Sequence, residues 1–414
     1  MNQKAVNRGF ILIAASIVGL MTGTVHIWSV FRNPLMHARG WTASEVTLAY
    51  SLFMLAVLIG CFLSGSVQSR FKPSVIVFFG GIIQGVGFIL TGFADSLFEL
   101  YFYYSIMAGL GNGFISSTAV SVATRWFPDK AGQANGLCIG CMGVSPLIFA
   151  PIGNTLIEHF DVFTSFKLNG SMMILLFGIF AWFLIMPPDD WSPSCWNTTA
   201  DKQVRRIIAS KNYSTGDMLK TPLFLLLWVS IICTLCAGVM VTAQASDIAQ
   251  HMASLSSSQA ATVVGILAVN SFIGRIGIGT LSDKLGRFNA VLIALAFSTI
   301  ILLFFFPKSH TFVSFLICLF FIGVCFGGTM ACLPGFVTDN FGGMNFGLKY
   351  PCLYSAYTVA SFIGPLLASV CFDRNGNYKS ALIIAGVISL IGIAGMFISR
   401  NMSNKMRSSV AKEK

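Results

Sequence analysis

Apolar positions run along this chain in long unbroken stretches separated by short polar gaps, with no segment that alternates apolar and polar positions as a strand would. A bilayer's hydrocarbon core needs about twenty apolar residues per helix. Runs near that length fall at 9–31, 44–67, 74–94, 98–122, 132–155 and 165–186. A polar stretch from Pro187 to Thr221 follows, and six more runs lie at 222–245, 259–281, 288–306, 311–335, 346–372 and 378–399. Backbone amides in hydrocarbon must find partners within their own segment, so runs of this kind mean helices. The pattern therefore predicts an all-α polytopic membrane protein with twelve transmembrane helices in two six-helix bundles. Residues 1–186 form the first bundle, 187–221 a cytoplasmic central loop, 222–400 the second bundle and 401–414 a cytoplasmic basic tail. Thr221-Pro222 suits the start of the seventh helix, a hydroxyl cap before a proline at the first helical position.

Composition agrees. The 414 residues are 55% hydrophobic and 10% charged, with a mean hydropathy of +0.78, more apolar surface than a water-soluble globule can hide. The formal charge of +11 is spread over the polar gaps, which reads as topology and not as a nucleic-acid surface. With the N-terminus inside, Lys4, Arg8, Arg70, Lys72, Arg125, Lys130, the central loop, Lys284, Arg287, Lys349 and the tail share one face. Only Arg32, Arg39, Lys167, Lys308, Arg374 and Lys379 fall on the other, which places both termini in the cytoplasm; the expected location is a cell inner (plasma) membrane. The sequons at Asn197, Asn212 and Asn401 then face the cytoplasm and carry no glycan. Lys4 and Arg8 precede the first run as in a signal peptide, but its length and the spans behind it favour a retained helix. Cys138/Cys141 and Cys233/Cys236 have CxxC spacing, yet inside spans they read as small packing residues, and no cofactor or metal site is predicted.

The two halves align at a fixed interval. The same offset pairs Gly65 with Gly279, Phe127 with Phe341 and Pro151 with Pro365, each pair at equivalent points of the two halves, as in a parallel internal repeat.

The segment Gly279-Thr-Leu-Ser-Asp283-Lys284-Leu-Gly286-Arg287 after span 8 resembles the G-x-x-x-D-[RK]-x-G-R signature of the major facilitator superfamily. Gly279 permits close helix approach, while Asp283, Lys284 and Arg287 suit a charge-assisted latch at the cytoplasmic helix ends. The first-half copy has Ser69 in place of the acid and lacks the second glycine, so a latch is predicted in the second half alone. Arg125-Trp-Phe-Pro-Asp-Lys130 and Gly216-Asp-Met-Leu-Lys-Thr-Pro222 are similar to segments of the oxalate/formate antiporter family, a resemblance that covers nearly the whole chain. Ser246-Asp247-Ile-Ala-Gln250 and Phe326-Gly-Gly-Thr329 resemble the family's pyruvate carriers more closely. The resemblance implies an anion carrier in which Arg275 matches one of two cations that clamp a dicarboxylate, while the second, a lysine, falls at Tyr357. Aromatic positions of the oxalate cavity likewise fall at Ser116, Met142 and Met330, and one fixed cation suits one carboxylate.

The residues themselves point the same way. Arg275 lies eight positions before Asp283, hence roughly 12 Å inside the cytoplasmic helix end, where its planar fork suits a carboxylate. The alternative is that it snorkels to the surface or pairs with backbone carbonyls. His26 lies well inside span 1 and suits either proton coupling or a neutral hydrogen bond. Tyr357, Tyr354, Asn270 and Phe326 are the further substrate-binding candidates, each of which could equally be structural. Gly109-Leu-Gly111-Asn112-Gly113 lacks the lysine of a phosphate loop and reads as helix packing. Gly143, Pro146, Pro151 and Gly364-Pro365 mark places where helices would bend in gating. The expected function is secondary active transport of a small monocarboxylate such as pyruvate or lactate, by proton symport or anion exchange. The protein is read as a monomer in membrane lipid, with no nucleic-acid partner. An oxalate:formate antiporter and a carrier of a non-anionic solute are the open alternatives. No paired deep acids and no nucleophile–base spacing suggest an enzyme, and the loops are too short for a signalling domain.

Overall fold

The computed structural model describes residues 7–188, 213–253, 257–309 and 311–412. Lys4, most of the central loop and the sequons at Asn197 and Asn212 lie outside them. Among the described residues every regular element is helical, and twelve helices are long and apolar enough to cross a membrane. They are Arg8–Ile27, Glu45–Val67, Pro73–Thr91, Leu97–Trp126, Ala131–His159 and Val162–Phe183, then Pro222–Ala243, Gly265–Leu285, Arg287–Lys308, Phe312–Phe341, Phe346–Asn375 and Lys379–Met406, numbered here as spans 1 to 12.

Local chemistry sets their ends. Thr42 and Glu45 form a capping box at span 2, and Ser96 and Glu99 form another at span 4. Asp161 accepts from the Phe163 and Thr164 amides at the start of span 6, and Thr221 accepts from the Phe224 amide with Pro222 at the first helical position of span 7. Lys349, counted above among the topology-setting charges, is fully buried instead. Its Nζ donates to the carbonyls of Phe341 (2.8 Å) and Gly342 (3.3 Å), closing the C-terminal end of span 10. The helix of span 12 runs on to Lys412, so the backbone of the predicted tail is helical that far.

The prolines do not break their helices. Spans 5 and 11 continue through Pro146, Pro151 and Pro365. The interruption lies in span 1, where Gly23–Ile27 tightens into a 3-10 turn before the helix resumes at Trp28–Arg39. There the Thr22 hydroxyl donates to Gly19 O (2.7 Å) and the Thr24 hydroxyl to Met21 O (2.9 Å), competing for the carbonyls that the α-helical ladder uses. Wider π turns occupy Tyr101–Ala108 in span 4 and Ile301–Phe305 in span 9.

The chain divides into two compact units, Met1–Pro128 with Cys141–Trp191, and Asp129–Gly140 with Ser192–Lys414. The first turns of span 5 thus group with the second half of the chain. Within the first unit span 4 packs on spans 2 and 3, and span 3 on span 6; within the second, span 10 packs on spans 8 and 9, and span 9 on span 12. The same pattern of neighbours is built twice.

Candidate functional site

Span 8 carries the central features of the second unit. Its glycines bring neighbouring backbones close: a Cβ on Gly274 or Gly327 would collide with backbone carbonyls of span 10 or span 8, those of Val324 and Ser271 respectively. A Cβ on Gly136 of span 5 would collide with the carbonyl of Arg275, and one on Gly140 would lie 2.9 Å from the Phe272 ring. Arg275 is thereby held in a close-packed stretch and is only 7% exposed.

Ser271, one helical turn before Arg275 and on the same face, is buried; Asn270 is buried as well, with its Cβ toward Gly323 of span 10. The Ser271 hydroxyl and the Asn270 amide Nδ2 meet no hydrogen-bond partner among the described residues, a condition that costs about 1–3 kcal/mol per buried group unless an acceptor arrives. Tyr357 lies on span 11. Tyr357 packs its ring 5.4 Å from Tyr354 and 6.3 Å from Phe326, and Phe326 is seated against Gly238 of span 7. The structure therefore draws Tyr354, Tyr357 and Phe326 into one aromatic group, which continues from Tyr354 to Tyr350 at 5.7 Å. Ser271 was missed in the sequence, although its spacing to Arg275 is the legible signal. His26 belongs to the first unit, within the 3-10 turn of span 1, and is exposed.

At the end of span 8 Asp283 acts as an acceptor for three donors. Its carboxylate takes the backbone N–H groups of Gly132 (2.8 Å) and Gln133 (2.9 Å), the first turn of span 5, where the helix dipole favours negative charge. Arg287 donates to Asp283 (2.6 Å) and to the Ser282 hydroxyl (2.5 Å) and pairs with Asp339 of span 10 at 3.4 Å. Gly279 is the close-approach point, since a Cβ there would collide with the Gly132 carbonyl. Lys284 is exposed and stands outside this network. Asp339, absent from the sequence reading, supplies the second acid; it occupies in the second half the position of Arg125 in the first.

Residues 11–348 and 254–414 match the Major Facilitator Superfamily. The chain belongs to that superfamily. It is therefore a major facilitator transporter and a multi-pass membrane protein. Among relatives, it is 27% identical to the uncharacterised transporter YhjX of Escherichia coli K12 over 86% of each chain. It is 26% identical to the oxalate:formate antiporter of Oxalobacter formigenes over 98% of this chain and 94% of that one. Monocarboxylate transporter 12 of Xenopus laevis is 24% identical over 80% of this chain and 74% of its own length. Among solved structures, the major facilitator transporter FucP in its outward conformation overlays with a TM-score of 0.71 at 14% identity, covering 94% of this chain and 98% of that one. The proton:xylose symporter XylE gives 0.72 at 14% identity, over 94% and 95%. These two likenesses carry the fold alone.

Proposed function

We propose that this transporter carries a small monocarboxylate, such as pyruvate or lactate, and that Arg275 holds the carboxylate. The observation that carries the reading is a buried guanidinium within span 8, with the Ser271 hydroxyl, one helical turn before it on the same face, lacking a hydrogen-bond partner among the described residues. An arginine fork matches a carboxylate in shape and charge. Two relatives are named for oxalate and formate or for monocarboxylates, which is in line with an anion. The neutral Tyr357 supplies one hydrogen bond where the resemblance to the oxalate carriers implies a second cation, and one cation balances one negative charge. The site would open to each side of the membrane in turn, with both chain ends in the cytoplasm. A fixed cation in the site opposes the return of an empty carrier through a dry intermediate, which favours anion exchange or proton symport, with His26 as the proton candidate.

The test is thermal stabilisation of the purified protein by pyruvate, lactate, formate and oxalate, with Arg275→Gln in parallel. Stabilisation by a monocarboxylate that disappears in the variant is the expected outcome. Stabilisation by oxalate alone would replace this reading with an oxalate carrier. Silence of every acid in a folded preparation would point to a non-anionic solute.

A further inference from the structure

Span 1 holds a second set of donors that the Arg275 site does not use. Where the helix resumes after the 3-10 turn, no side chain caps the new N-terminus at Trp28–Arg39. Trp28 in its first turn is only 6% exposed and stacks on Tyr104 with ring centroids 4.2 Å apart. Its indole Nε1–H is enclosed and has no hydrogen-bond partner among the described residues. One turn later on the same face stands Arg32, half-buried, with its Nε also enclosed and likewise without a partner. The other cations of this unit's same end are satisfied. Arg39 pairs with Asp95, donates to the Ala94 carbonyl at 3.0 Å and lies 4.4 Å over the Phe163 ring. Lys167 lies 3.7 Å from the centre of the Phe93 ring. Among the described residues, Arg32 alone of the three has neither an acid nor an aromatic face.

An indole N–H and a guanidinium N–H, enclosed one helical turn apart on the same face, lack the same thing, an acceptor, and the guanidinium favours one that carries negative charge. We propose that Trp28 and Arg32 form a second anion site, within the first unit, which binds the carboxylate of the transported solute. It rests on the reading of this chain as an anion carrier, although its residues are separate from those of the Arg275 site. Arg32 supplies the charge and a directed N–H, and Trp28 supplies a neutral N–H whose ring is fixed by Tyr104. Both donors are uncommitted in the free protein, so the site binds without breaking an existing bond.

The experiment uses the full-length protein in nanodiscs and reads the fluorescence difference between it and its Trp28→Phe variant, which keeps a ring on Tyr104 but loses the donor. Titration with pyruvate in an Arg275→Gln background is expected to give a saturable change, which Arg32→Gln removes at an unchanged melting temperature. In transport assays of protein with Arg275 intact, Arg32→Gln is expected to raise the KM by about tenfold with kcat retained, the mark of lost binding as opposed to lost transition. Arg32→Lys should recover part of it. A response that survives Arg32→Gln, one matched by chloride, or no response from a folded protein would overturn the site. If Arg275→Gln still transports normally, the Arg275 reading fails while the fluorescence result stands or falls independently.

Discussion

Asp283 does more with one carboxylate than any other acid described in the second unit: it accepts from two backbone amides of span 5 and from Arg287. Removing its charge leaves Arg287 with one remaining acid, Asp339, and leaves two helix-terminal N–H groups facing an amide. Asp283→Asn is expected to cost about 2–4 kcal/mol, the range for breaking a largely buried charge pair, and to lower the melting temperature clearly in detergent. Lys284→Gln, at an exposed position outside that network, should shift it within the error of the measurement. The pairing of Asp283 with Arg287 was legible from the signature to which both belong, across the break at Gly286 between spans 8 and 9. The amides of Gly132 and Gln133 were not, because an N–H donor at a distant helix start leaves no mark in side-chain identity. Asp339 was equally silent, one acid at a helix end with its partner more than fifty residues away.

At the level of single helices, the spans were readable from length and hydropathy because the bilayer sets both. The breaks were not. Proline lacks an N–H and removes a rung of the helical ladder, yet the helices of spans 5 and 11 continue past theirs. In span 1 the tight turn arises from two threonine hydroxyls that reach back to carbonyls, a feature spread over Thr22 to Ile27 with no proline at all. Gly23 opens this turn and packs against span 5, where a Cβ would meet the Met142 carbonyl and lie 2.5 Å from the Ser145 Cβ. Gly23→Ala is therefore expected to destabilise by roughly 1–3 kcal/mol through overpacking, read as a lower melting temperature, while Gly40→Ala, with open space at its Cβ position, should show only the smaller strain of its positive φ.

For the molecule as a whole, the internal repeat is deeper in the structure than three matching positions suggested. Gly60 meets the Leu110 carbonyl and Gly113 that of Val57; Gly274 meets the Val324 carbonyl and Gly327 that of Ser271. Each residue of the first set is separated from its counterpart by the interval that also relates Gly65 to Gly279. One helix crossing has been made twice, with the same glycines admitting the same carbonyls. At this interval Arg275 corresponds to Cys61, whose thiol donates to the Gly113 carbonyl at 3.5 Å. The duplicated frame could be read from the sequence because close backbone approach demands glycine at fixed places. Of the buried polar residues of span 8, Asn270 was already a candidate and Ser271 was not, since a serine is an ordinary residue until its burial is known.

The burial of Arg275 has an electrical consequence. In the proposed reading, turnover of the empty site moves the charge of the buried span 8 guanidinium through the field across the membrane, worth about 2.3 kcal/mol per 100 mV for a full crossing. With a monocarboxylate bound, the complex is neutral and feels almost none of it. Exchange of one monocarboxylate for another across a liposome membrane should therefore be indifferent to an imposed potential. Any step in which the empty site turns over should follow that potential and lose the dependence in Arg275→Gln. Voltage-sensitive flux during balanced exchange would mean that the charge which moves is not the one in span 8.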